Sequence, residues 1–121
     1  MKKLTQTRLH NPPKSLGNCL PTVLACLLDK DSPEDVLQIQ EYYEDEGGWY
    51  HLLIDYLEKE GYELKSIDGH LSNDDYYLVS GNTVRGTYHI VIYKKGKLYH
   101  DPHPSRVGLI AEKQFEKLIR I

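Results

Sequence analysis

The sequence predicts an α+β domain in which helices come first and a mostly antiparallel sheet follows. Three observations carry this expectation. Leu20, Val23, Leu24, Leu27 and Leu28 recur at the spacing of one buried helix face. Tyr62-Glu63-Leu64-Lys65-Ser66-Ile67 alternates as a half-buried strand does. Gly86 to Tyr93 is apolar on both faces, as a central strand is, and Lys94-Lys95-Gly96 leads from it into a second short run. Helical segments that precede strands, without strand–helix alternation, give an α+β order. A chain of 121 residues fits one domain, residues 1–121.

The elements follow in chain order. Residues 1–10 read as an extended arm or short strand, ended by Asn11-Pro12-Pro13. A helix runs from about Asn18 to Asp29. Gly17 and Asn18 stand at its cap, and Pro21 fits a first turn, where its missing N–H has no partner to lose. Ser32-Pro33-Glu34-Asp35 opens a short acidic second helix. Gly47-Gly48 is a break. Trp49 to Glu60 forms a third helix, with Leu52, Leu53, Tyr56 and Leu57 facing inward and Gly61 as its stop. Residues 68–75 are polar and loop-like, Tyr76 to Ser80 is a second strand, and the hairpin at 87–101 supplies two more. Lys113 to Ile119 reads as a closing helix or an edge strand.

Composition narrows the function. A net charge of −3 gives no sign of a nucleic-acid surface. No apolar run reaches transmembrane length and no signal peptide is visible, so a cytoplasmic protein without membrane contact is expected. Cys19 and Cys26 lie seven residues apart, about 10 Å along one helix, too far for a disulfide. Cys26 then reads as a small core residue.

Cys19 is different. It sits in the first turn of the helix, where the dipole favours thiolate over thiol and free N–H groups point outward for a developing oxyanion. Such a nucleophile needs a base held by a third group. A three-residue hairpin loop, Lys94-Lys95-Gly96, pairs Tyr93 with Lys97, Val91 with Tyr99, and His89 with Asp101 on one sheet face. A two-residue loop would move His89 to the face opposite Asp101. The predicted catalytic set is therefore Cys19, His89 and Asp101, conditional on that register.

The order of Gln6, Gly17-Asn18-Cys19 opening an apolar helix, a His89 strand, and Asp101-Pro102 after a hairpin resembles papain-like cysteine peptidases. It is most similar to the compact kind related to bacteriocin leader peptidases. The fuller pattern, with Ser80-Gly81, Arg85-Gly86 and His100-Asp101-Pro102-His103-Pro104-Ser105, also resembles small proteins common in bacteriophage and prophage genomes. The resemblance spans about residues 4 to 110. It implies a papain-like fold, a Cys19–His89–Asp101 triad, no cofactor, and a peptide or protein substrate. In the leader peptidases an oxyanion glutamine precedes the cysteine more closely than Gln6 does here. Gln6 or Asn18 is expected to complete the oxyanion site.

Two further substrate-binding candidates are Arg85, in the loop leading into the histidine strand, and Trp49, after two glycines. Glu41, Glu44, Asp45 and Glu46 form a solvated acidic stretch able to guide a basic substrate. Two rival functions stand beside the hydrolase. One is a catalytically silent binding module with the same geometry. The other is a metal-dependent hydrolase holding its ion with His89, His100, Asp101 and His103.

Overall fold

The computed structural model describes residues 1–12 and 14–121; Pro13, the last residue of the expected break, lies outside them. The fold is α+β, with two α-helices and a five-stranded antiparallel sheet. A small hairpin comes first, β1 (His10–Asn11) against β2 (Ser15–Leu16), with His10 opposite Leu16. It turns the chain back to Gly17, whose φ of +79° strains any side chain and where a Cβ would stand a tight 3.0 Å from the His10 nitrogen. Helix α1 (Cys19–Leu27) starts at once.

The expected second helix is instead two separate 3-10 turns, Pro33–Asp35 and Ile39–Tyr42. Ser32 does cap the first, accepting the Glu34 N–H at 3.1 Å. Val36, which follows the first turn, is extended (φ −111°, ψ 151°), and this breaks the helix between the two turns. Helix α2 (Tyr50–Lys59) follows. The sheet comprises β3 (Tyr62–Ser66), β4 (Tyr76–Asn82), β5 (Tyr88–Lys94), β6 (Lys97–His100) and β7 (Ala111–Arg120), in the spatial order β3-β7-β4-β5-β6. The C-terminal segment is thus neither a helix nor an edge. It is a strand inserted between β3 and β4, and pairing on both sides overrides its weak local preference.

Both faces of the sheet are covered. Val23 and Cys26 of α1 pack on Leu78, Ile90 and Ile92. Leu24 and Ala25, on the other side of α1, meet Val36, Ile39, Leu53 and Leu57. Full burial of such side chains stabilises by about 1.5–3 kcal/mol each. Tyr77, Val79, Val91 and Tyr93 face the opposite way, under Ile67, Leu71, Leu109 and Phe115. Among the described residues no helix is long and apolar enough to cross a membrane.

Two register shifts shape the sheet near the site. Ser80 pairs with Gln114 but Gly81 pairs with Glu112, so Lys113 is an extra residue in β7. That bulge sends Glu112 to the Tyr77–Tyr93 face, while Gln114 and Glu116 lie on the α1 face. It also brings β7 so close that a Cβ on Gly81 would stand 1.8 Å from the Ala111 carbonyl oxygen.

The second shift corrects the expected hairpin. The loop is the two-residue Lys95-Gly96, both at positive φ (53° and 75°), the backbone that suits strand twist. Lys94 pairs with Lys97 and Tyr93 with Leu98, not Tyr93 with Lys97. Tyr99 is then bulged out, and Ile92 pairs with His100. Continued by one residue, this register sets Asp101 opposite Val91, on the face His89 also occupies by alternation. The bulge restores the shared face that the tighter turn alone would have lost.

Candidate active site

Asn18 anchors the start of α1, though not as a helix cap. Its side chain makes no capping bond to the helix. It is fully buried and engaged elsewhere: Oδ1 accepts the Arg8 N–H at 3.0 Å, and Nδ2 donates to Thr7 Oγ1 at 2.8 Å. Weaker contacts of 3.3 Å run to Glu34 and Gln38. With both ends committed to the arm and the 3-10 turns, the Asn18 amide has no atom left for a ligand at Cys19, which does not fit the expected oxyanion role. What it does is tie the N-terminal arm to the helix, helped by its own N–H, which donates to the Arg8 carbonyl at 3.0 Å.

That arm brings Gln6 to the site. The β1–β2 hairpin closes the gap between Gln6 and Cys19 in space. Gln6 N–H donates to the Pro102 carbonyl at 2.9 Å, and its Nε2 to the Arg8 carbonyl at 3.1 Å. Its Oε1 is buried with no hydrogen-bond partner, and the residue lines the main cavity. The arm is fastened at neighbouring points by His100 Nε2 on the Leu4 carbonyl, 2.6 Å, and by Arg106 on Thr5.

His89 is the second residue of β5 and is 5% exposed. Its Nε2 donates to Asp101 Oδ1 at 2.7 Å. Asp101, 2% exposed, is itself held: Oδ1 also accepts the His103 N–H at 2.9 Å, and Oδ2 the Gly108 N–H at 2.8 Å. Nδ1 of His89 is left for another partner. Cys19 is close enough to raise the titration of the ring, and the two residues line one cavity.

The electrostatics follow from these contacts. Burial opposes a charge on His89, but the hydrogen bond to Asp101 and the nearness of Cys19 outweigh it and raise its pKa to about 9. Burial likewise opposes charge on Asp101. Its bonds from His89, His103 and Gly108 prevail and lower it to about 2. The pair is therefore an imidazolium and a carboxylate at neutral pH. Cys26 is fully buried, and desolvation pushes its thiol up.

The cavity has a volume of about 930 Å³. Cys19, His89 and His103 share it with Arg85 and Trp49, the two expected substrate contacts. Arg85 donates to Ser105 Oγ at 3.1 Å, and Ser105 Oγ lies 2.8 Å from His103 Nδ1. Trp49 packs edge-on against Tyr43 and Tyr50, with centroids 5.0 and 5.7 Å away. Tyr43 adjoins the nucleophile: its phenol is pushed up to about 12, first by burial and then by the charge of Cys19.

Tyr43, Tyr50, Tyr88 and Glu116 belong to this wall and went unnoticed in the sequence. They lie on four separate segments, and only the aromatic spacing Tyr43…Trp49-Tyr50 hinted at them. The residues of the metal-site rival do not gather round an ion. His100 faces Leu4, His103 bonds Ser105, and among the described residues no group of three or more His, Cys, Asp or Glu side chains is placed to hold a metal ion. Comparison with known proteins leaves the geometry to speak alone: no protein-family model, no curated protein and no solved structure matches the chain.

Proposed function

We propose that this chain is a compact papain-like thiol hydrolase that cleaves a peptide or isopeptide bond. The observation that carries the proposal is the 2.7 Å His89–Asp101 bond, buried beside a cysteine in the first turn of a helix and opening on a large cavity. A structural histidine needs no thiol neighbour, and a structural helix-start cysteine needs no buried ion pair behind it.

The roles follow from position. Cys19 Sγ attacks the carbonyl carbon. His89, bonded to Asp101 through Nε2, faces the sulfur with Nδ1: it already holds the proton there as the imidazolium, so that Cys19 attacks as the thiolate, and it gives that proton to the leaving amine. Asp101 fixes the ring and supports its charged form. The Cys19 N–H has no intrahelical partner and faces the forming oxyanion, and the second Nε2 proton of Gln6, whose first is held by the Arg8 carbonyl, is the second donor. Water then attacks the acyl-enzyme carbonyl, His89 accepts the water proton, and the thiol and a carboxylic acid are released. A cytoplasmic, phage-type setting for this chemistry remains part of the same reading.

Two measurements test it. Iodoacetamide labelling of Cys19 at pH 7 is expected to slow at least tenfold in His89→Ala, since the imidazolium favours the thiolate. Incubation with a peptide library, read by mass spectrometry, is expected to yield new termini with the wild-type protein and none with Cys19→Ala. Wild-type labelling in His89→Ala would refute the pairing. Binding without cleavage would favour the silent module.

A further inference from the structure

The cavity contains a charge that the hydrolytic chemistry does not use. Glu116 lies on β7, opposite Leu78 of β4 and Ser66 of β3, in the middle of the sheet. Its pairing with Leu78, and that of Gln114 with Ser80, set both on the α1 face, and both line the cavity. Its carboxyl is half-buried, and burial alone acts on it: no cation or hydrogen-bond donor among the described residues compensates. A carboxylate withdrawn from water without a partner is costly. The other acids of the sheet are paired. Glu112, for example, takes His70 at 2.8 Å and the Tyr93 hydroxyl at 2.7 Å.

What surrounds Glu116 suits a cation. Tyr88 is close enough to feel its charge, and the Tyr88 hydroxyl is held by Gln114 Oε1 at 2.7 Å, which fixes the ring. Trp49, Tyr43 and Tyr50 supply further aromatic faces in the same cavity, and aromatic faces attract ammonium and guanidinium groups. Arg85 is engaged with Ser105 beside His103. Exposed Glu44, Asp45 and Glu46, between Tyr43 and Trp49 in the chain, add negative potential that draws cations toward the site.

We infer that Glu116 is a specificity-determining residue that receives the ammonium or guanidinium of a lysine or arginine side chain, so that the cleft takes basic peptides. The inference depends on the thiol-hydrolase reading only in calling the bound peptide a substrate; the binding itself does not need Cys19.

Trp49 is the chain's only tryptophan and reports on the cavity directly. The test is a fluorescence titration of the wild-type protein with acetyl-Gly-Lys-Gly-amide and its norleucine counterpart, with Cys19 alkylation rates measured in parallel. The lysine peptide is expected to bind roughly five- to tenfold more tightly, the range of a partly buried ion pair with aromatic support. Glu116→Gln should bring the two peptides level while leaving the iodoacetamide rate at Cys19 unchanged. Equal binding in the wild-type protein, or no binding of either peptide, overturns the inference. So does a lysine preference that survives Glu116→Gln, which would place recognition on Glu44 to Glu46. Slow alkylation of Cys19 with an intact lysine preference would instead sink the hydrolase reading and keep the binding site.

Discussion

Replacing Asp101 with Asn keeps the shape of the site and removes one charge. In the wild-type protein His89 stands at about 9 against an ordinary 6.5. At about 1.4 kcal/mol per unit this represents about 3 kcal/mol favouring the imidazolium, shared between Asp101 and Cys19. The depression of Asp101 to about 2 is the same attraction seen from the other partner, so the two are not summed. Loss of the carboxylate should lower the His89 midpoint by roughly one to two units, the usual effect of a neighbouring opposite charge. NMR titration of the imidazole resonances measures it, and the alkaline limb of hydrolysis should move with it. The sign is set by linkage. A histidine raised in the folded state adds stability that is complete below pH ~6.5 and disappears as pH rises through about 9. Asp101, depressed in the folded state, adds stability present above pH ~3.9 that is lost as pH falls toward about 2. The variant should lose the acid wing and keep only a reduced alkaline one. It should also be less stable at neutral pH. Asp101 accepts from His89, His103 and Gly108, and an Asn amide leaves one of these buried donors facing another donor. That costs about 1–3 kcal/mol, or roughly 4–12 °C in Tm. An unchanged His89 midpoint in a folded variant would refute the reasoning and remove Asp101 from the mechanism.

Native iodoacetamide treatment with peptide mapping should modify Cys19 and spare Cys26, which is fully buried and accepts the Leu4 N–H at 3.3 Å; equal labelling would contradict this. Gln6→Ala should lower kcat roughly 10²–10³-fold while changing the Cys19 alkylation rate little, because alkylation forms no oxyanion. Equal losses in both assays would make Gln6 a structural residue of the arm. Gly81→Ala should cost several kcal/mol in urea unfolding, since its Cβ would meet the Ala111 carbonyl oxygen at 1.8 Å and neither group is a flexible side chain. A loss under about 1 kcal/mol would mean that β7 does not approach β4 as described.

Periodicity made much of the architecture legible. The apolar face of α1, the inward residues of α2 and the strands at 62–66, 76–82 and 88–94 repeat at their own local period, and burial of one face needs little more than that. Cys19 could be singled out for the same reason, since a glycine, a proline and an apolar stripe locate a helix start without tertiary knowledge. The region after Asp29 was harder. Pro33 and acids suggest a helix there, but 3-10 turns need only three residues and leave no periodic trace.

What the chain determined by itself is which residues lie at the start of a helix and which lie on strands, because those choices are decided by neighbours a few positions away. The tertiary structure decided the rest. The Tyr99 bulge, and not the turn, sets Asp101 on the face of His89, and nothing local announces a bulge. Asn18 is spent on holding Arg8, which only the returning arm reveals. Strand β7 enters between β3 and β4 although residues 67–110 separate it from the first and 83–110 from the second. Its pairing with Leu78 then sets Glu116 on the face that lines the cavity, while the bulge at Lys113 turns Glu112 to the other. These are contacts between distant segments, chosen by how the whole core closes, and local sequence has no term for them.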